Sequence, residues 1–129
     1  MADKKRIKVL VVDDEEDFLK ITKINLEEGG EYEVVTLSSA KDIVSDVRSI
    51  MPDIILMDIL MPSLGGIGAC SLLNKDSQAQ NIPIIVVSAA DKDIYVNKAY
   101  REGVVNYLVK PIDKKDLISK IELALRYQK

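Results

Sequence analysis

A parallel β-sheet covered by helices on both faces is the fold class the sequence predicts, and three observations predict it. From residue 7 onward, short apolar runs alternate with longer segments of helical period, five times over, the pattern of an α/β chain. Three of the runs, residues 8–12, 54–57 and 84–87, are apolar almost throughout, as central strands buried on both sides must be. The links between segments are short, without repeat, linker or low-complexity stretch, so residues 1–129 read as one domain, long enough to bury a core unaided.

Strands are expected over residues 7–12, 32–37, 54–57, 82–87 and 104–109. The second, with Glu31, Glu33 and Thr36 interleaved among Tyr32, Val34 and Val35, has the make-up of an edge strand. The first helix, residues 15–28, opens on acids that suit the positive end of its dipole and closes at Gly29-Gly30. Ser39, with Asp42 three residues later, reads as a capping box ahead of the helical stripe Ala40, Ile43, Val44, Val47 and Ile50. A third helix is expected from Gly65-Gly66 to about Lys75, and a fourth over residues 92–102, stopped by Gly103. The fifth follows Asp113 as N-cap and carries Leu117, Ile121 and Leu125 on one face.

Composition narrows the function. A net charge of −3 gives no basic face for a general grip on nucleic acid. No apolar run is long enough to cross a bilayer, and no signal-peptide stretch follows Met1-Ala2-Asp3-Lys4-Lys5-Arg6, so a cytoplasmic protein is expected. The single Cys70 excludes an internal disulfide and reads as a small buried hydrophobe. The absence of histidine excludes Ser-His-Asp and Cys-His catalysis and removes the usual transition-metal ligand.

In an open parallel sheet the ligand crevice lies beyond the carboxyl ends of the strands. The residues there are Asp13 and Asp14 after the first strand, Asp58 after the third, Ser88 after the fourth and Lys110, followed by Pro111, after the fifth. Taken singly each has a plainer reading: a helix cap, a turn former, a solvated charge. An apolar pattern gives no reason to gather them at one rim, and their coincidence points to a site. Three clustered carboxylates repel one another, and one lysine does not neutralise them. An all-oxygen set without His or Cys suits Mg²⁺, and a carboxylate held beside it can attack phosphorus to form an aspartyl phosphate. Positioning and charge stabilisation then carry the catalysis, with Lys110 and Ser88 available to the phosphoryl oxygens.

With these residues assembled, the sequence resembles the receiver domain of two-component response regulators, of the chemotaxis-regulator type. The resemblance runs from Ile7 to about Arg126. It rests on Asp13-Asp14, on Asp58 followed by Met61-Pro62 and Gly66, and on Ser88-Ala89, Gly103, Tyr107 and Lys110-Pro111. The intervals match as well: 88 − 58 = 30 residues and 110 − 88 = 22. The resemblance implies a flavodoxin-like (βα)5 three-layer sandwich with strand order 2-1-3-4-5. It implies that Asp58 is phosphorylated from a phosphohistidine on a histidine kinase or histidine phosphotransfer protein. Asp14, Asp58 and the backbone carbonyl of Leu60 would bind Mg²⁺ directly, and Asp13 through water. Lys110 would pair with the phosphoryl group, Ser88 would hydrogen-bond it, the Lys110-Pro111 peptide would be cis, and Tyr107 would be the aromatic switch. The responding face would be the fourth helix, fifth strand and fifth helix, open to an effector protein or domain, or to a second copy as a homodimer. Such a protein is not an enzyme in the ordinary sense; it catalyses only its own phosphorylation and slow dephosphorylation.

The departures carry expectations too. Gly65 stands beside Gly66 where relatives often have an acid, so a more mobile loop is expected. Leu60 and Ala90, two residues after Asp58 and Ser88, cannot orient a water, which implies slow autodephosphorylation. A rival reading is a Mg²⁺-dependent phosphatase with an aspartyl-phosphate intermediate, which would place a second acid where Leu60 stands. Another is a flavin module on the same fold, disfavoured by the acids facing where a flavin phosphate would bind. Whether the chain acts alone or belongs to a longer protein, and in which pathway, is left open.

Overall fold

The computed structural model describes residues 5–62 and 65–127. The first four residues of the N-terminal segment, and Ser63 and Leu64 of the loop after Asp58, lie outside them. The chain alternates β1 (Ile7–Val12), α1 (Glu16–Glu27), β2 (Tyr32–Leu37), α2 (Ile43–Ile50), β3 (Ile54–Met57), α3 (Gly65–Lys75), β4 (Ile84–Ser88), α4 (Asp93–Arg101), β5 (Asn106–Val109) and α5 (Lys114–Arg126). The strands form one parallel sheet in the order β2-β1-β3-β4-β5. This is the flavodoxin-like arrangement, with β2 at an edge as its mixed composition predicts.

The period-2 alternation of each strand divides the core. Leu10, Val12, Ile55, Met57, Ile84 and Val86 face α2, α3 and α4, where Ile43, Val47, Cys70, Leu73 and Ala99 meet them. Val9, Val11, Ile54, Leu56, Ile85 and Val87 face α1 and α5, where Leu19, Leu26, Leu117 and Ile121 meet them. All twelve strand residues are buried, so β3, β4 and β1 beyond Lys8 have no solvent face and no use for polar residues until their carboxyl ends. No helix among the described residues is long and apolar enough to cross a membrane.

Three element starts differ from the sequence expectation by two residues or more, each for a local reason. Ser39 does not cap α2: its Oγ accepts from the Lys41 amide, the helix begins at Ile43, and Asp42 takes the N-cap position without a side-chain hydrogen bond. Strand β4 begins at Ile84 because Ile82 closes a turn onto Ala79, and Pro83 has no amide to offer a ladder. Strand β5 begins at Asn106, since the Val104 amide is still tied to Ala99 at the end of α4. Asp113 does cap α5, accepting from the Asp116 amide at 2.7 Å. Gly30 and Gly103, in left-handed conformation at φ 78° and 89°, end α1 and α4.

Candidate functional site

The strand order reverses between β1 and β3: the chain leaves β1 towards β2 and returns on the other side. The crevice belongs at that reversal, and the acids stand there. Ladder hydrogen bonds continue one step past the strands and fix their backbones. The Asp13 amide donates to Leu37 at 3.0 Å, the Asp58 amide to Val12 at 3.0 Å and the Lys110 amide to Ser88 at 2.8 Å. Three of the site residues are thereby anchored to neighbouring strands before their side chains are considered.

The side chains converge. Carboxylate oxygens of Asp13, Asp14 and Asp58 lie within 4.8 Å of one another. Asp13 and Asp58 are buried and Asp14 is exposed, so the cluster opens to solvent on the Asp14 side. Asp13 Oδ1 accepts from the Glu15 amide at 2.8 Å, and Asp58 Oδ1 from the Leu60 amide at 2.9 Å, which turns both carboxylates towards the crevice. Lys110 Nζ reaches in from the end of β5, 2.7 Å from Asp13 Oδ2 and 3.4 Å from Asp58 Oδ2. The Lys110-Pro111 peptide after it is cis. Ser88 is fully buried, its Oγ accepting from the Ala90 amide at 3.2 Å. Tyr107, on β5, is half-buried and its hydroxyl donates to the Ala90 carbonyl. Leu60, whose carbonyl the resemblance names as a metal ligand, is half-exposed at the rim.

Electrostatics agree with the crowding. Burial works against the Lys110 ammonium, but hydrogen bonds to Asp13 and Glu15 and the charges of Asp58 and Asp13 outweigh it and raise its pKa. Burial pushes the Asp13 carboxyl up, and the Asp58 charge adds to that push against the pull of Lys110 and the Glu15 amide. One ammonium does not balance three acids, and the donor set is all oxygen. These residues fit a hard divalent cation. Away from the site, burial raises the Cys70 thiol to about 12, which leaves it an inert core group.

Two neighbours of Lys110 escaped the sequence reading. Glu15 Oε1 lies 2.7 Å from Nζ, and the Phe18 ring centroid 4.1 Å from it. Both sit at the start of α1, 95 residues from Lys110 in the case of Glu15. A clue was present in the i, i+3 spacing of Glu15 and Phe18, which puts an acid and a ring on one helix face beside the acidic pair.

Comparison with known proteins bears on the family and the fold. The family model for the response regulator receiver domain matches residues 9–122. Protein PilH of Pseudomonas aeruginosa is 35% identical over 92% of this chain and 97% of its own length. The alkaline phosphatase synthesis transcriptional regulatory protein PhoP of Bacillus subtilis is 31% identical over 92% of this chain, which spans only 48% of PhoP. Among solved structures, the CheY-like response regulator receiver domain protein of Methanospirillum hungatei superposes with a TM-score of 0.88 at 26% identity, covering 96% of this chain and 97% of that one. By the extent of the family match, from within β1 into α5, and by PilH in particular, the chain belongs to the response regulator receiver domain family of two-component signalling.

Proposed function

We propose that the chain is a phosphoacceptor that takes a phosphoryl group onto Asp58 from the phosphohistidine of a histidine kinase or histidine phosphotransfer protein. The observation that best supports this is the position of Lys110, whose ammonium lies between Asp13 and Asp58 in a crevice rimmed by exposed Asp14. A structural ion pair needs one acid. A lysine facing a surplus of acids beside a buried hydroxyl suits a site built to receive oxyanions and a cation together.

Asp14, Asp58 and the Leu60 carbonyl would hold Mg²⁺ directly, with Asp13 acting through water. When bound, the ion screens the carboxylates from one another and stabilises negative charge on the phosphoryl oxygens. Asp58 attacks phosphorus through a carboxylate oxygen; the phosphorus–nitrogen bond breaks with its electron pair going to the donor imidazole, and no proton leaves Asp58. The backbone bonds to Val12 and Leu60 hold that carboxylate in one orientation while Lys110 moves its hydrogen bond from carboxylate to phosphoryl oxygen. Ser88 turns its hydroxyl to the phosphoryl group, giving up the bond from the Ala90 amide. That rearranges the loop whose carbonyl Tyr107 also holds, so a local charge event biases the α4-β5-α5 surface. That surface would engage an effector protein or domain, or a second copy of the chain. The rest of the reading is a single domain over residues 1–129, working in the cytoplasm beside its phosphodonor, with no turnover beyond its own phosphorylation and slow dephosphorylation.

The test is labelling by acetyl phosphate with Mg²⁺. Wild type should take up about one phosphoryl group per chain, and Asp58→Asn none, since one site is proposed. Labelling that persists in Asp58→Asn sinks the assignment.

A further inference from the structure

The Lys110 ammonium has three N–H donors, and the two shorter of its three acidic contacts go to Asp13 and Glu15 rather than to Asp58. Asp13 and Glu15 are each 2.7 Å from Nζ, whereas Asp58 is 3.4 Å away, at the limit of a hydrogen bond. Phe18, one helical turn after Glu15, closes the same side with its ring centroid 4.1 Å from Nζ. Glu15 is not part of the carboxylate cluster of Asp13, Asp14 and Asp58. Its side chain is 64% exposed and has no packing role, and the bond from its amide to Asp13 does not depend on what the side chain is. Glu15 and Phe18 thus make a second berth for the ammonium, on the α1 side of the crevice.

The geometry points to Glu15 as a positioning residue that draws Lys110 towards α1 and off Asp58 in the unphosphorylated protein. This rests on the phosphoacceptor reading above. A phosphoryl group on Asp58 has to win the ammonium from Glu15, so the strength of that contact sets how tightly the site holds a phosphoryl group. Removing the contact frees an N–H donor that a phosphoryl oxygen can take without loss elsewhere. The remaining bond to Asp13 keeps Lys110 in the crevice, so the freed ammonium swings towards Asp58 rather than into solvent. Phe18, partly buried against the core between α1 and α5, has its ring fixed beside the ammonium.

The experiment is binding of beryllofluoride, a phosphoryl mimic, in excess Mg²⁺, with the Lys110 Nζ and ε-methylene NMR signals followed in the unliganded protein. Three variants separate contact from charge. Glu15→Ala removes both, Glu15→Asp keeps the charge but is one methylene too short to reach, and Glu16→Ala removes an adjacent exposed acid of the same first turn. Glu15→Ala should tighten beryllofluoride on the order of fivefold, the scale of one partly exposed charged contact. Glu15→Asp should tighten it in the same direction, both should move the Lys110 signals, and Glu16→Ala should do neither. Unchanged or weaker binding in Glu15→Ala overturns the inference. So does a Glu15→Asp that matches wild type, or a Glu16→Ala that matches Glu15→Ala, since either makes the effect one of general repulsion. If wild type binds no beryllofluoride, the phosphoacceptor reading itself falls, and the inference with it.

Discussion

Gly66 packs its α-carbon against the backbone of Asp58: a Cβ at residue 66 would lie 2.2 Å from the Asp58 carbonyl oxygen and 2.4 Å from the Ile59 α-carbon. Neither is the end of a flexible side chain, so helix α3 or the acceptor's own backbone would have to move. Gly66→Ala should therefore cost about 2–3 kcal/mol of stability, as overpacking at a rigid contact does. It should also lower Asp58 labelling by acetyl phosphate at temperatures where the variant is still folded. Gly65→Ala is the contrast. Its nearest contact would be 4.0 Å away, and only the left-handed backbone at φ 74° opposes it, so about 1 kcal/mol is expected in urea unfolding.

Leu60 stands half-exposed at the rim beside Asp58, and Ala90 is buried with its carbonyl held by Tyr107. Neither side chain offers a hydrogen bond to a water approaching phosphorus. Placing an amide at the rim by Leu60→Asn should shorten the lifetime of phosphorylated Asp58 by about tenfold, below the usual range for a positioned acid or base because an amide orients water without taking its proton. Loss of label from protein freed of donor checks this. An unchanged lifetime would mean that access of water, and not its orientation, limits hydrolysis.

Much of the fold could be read from residue order because β1, β3 and β4 are buried on both faces. Their limits are marked by the first polar residue, and three of those first polar residues are Asp13, Asp58 and the buried Ser88. The strand order, the cis peptide before Pro111 and the places of Leu60 and Tyr107 came through resemblance, whereas Asp13, Asp14, Asp58, Ser88 and Lys110 were read from the strand ends. What could not be read depends on competition between short-range partners of similar strength. Ser39 could accept from the amide two or three residues on, and burial of Ala40 in the core sets the backbone that chooses Lys41. The berth made by Glu15 and Phe18 is a tertiary contact across the sheet, and the acidic run at residues 13–17 hides it behind a reading as helix dipole chemistry.

Tyr107 is tied to the loop after β4 by a hydrogen bond from its hydroxyl to the Ala90 carbonyl, and the hydroxyl also meets the Ser88 side chain. Burial raises its pKa, and the Asp58 charge adds to the effect, so the hydroxyl is a proton donor throughout the neutral range. Tyr107→Phe keeps the ring and loses the donor, leaving the carbonyl of a buried residue without that partner. The expected cost is about 1 kcal/mol in urea unfolding of the unphosphorylated protein. Beryllofluoride should then shift fewer amide resonances of α4 and β5 than in wild type, because the link between the loop and the ring is gone. An undiminished shift would remove Tyr107 from the switch.

Glu27 caps the open edge of the sheet. Among the described residues strand β2 pairs only with β1, and on its free side the Val34 amide donates to Glu27 Oε2 at 2.9 Å while the Val34 carbonyl accepts from Lys23 Nζ at 2.8 Å. Lys23 and Glu27 are themselves paired at 3.0 Å, so one ion pair on α1 occupies both backbone groups that an incoming strand would use. The Val34 amide first, and Lys23 second, hold the Glu27 carboxyl below its ordinary value. A carboxyl lowered in the folded state contributes stability that is present above its unfolded pKa of about 4.3. That contribution is lost as pH falls through the lowered folded value, because the folded state resists the proton that the unfolded state accepts. Urea midpoints measured from pH 7 downward should therefore fall on the acid side of about pH 4.5, and Glu27→Gln should flatten part of that fall while costing about 1 kcal/mol at neutral pH. An acid-side slope identical in the two proteins would show that Glu27 is not among the groups responsible. The double variant Lys23→Ala, Glu27→Ala should in addition aggregate faster at high concentration, since the Val34 amide and carbonyl then face solvent on a bare edge.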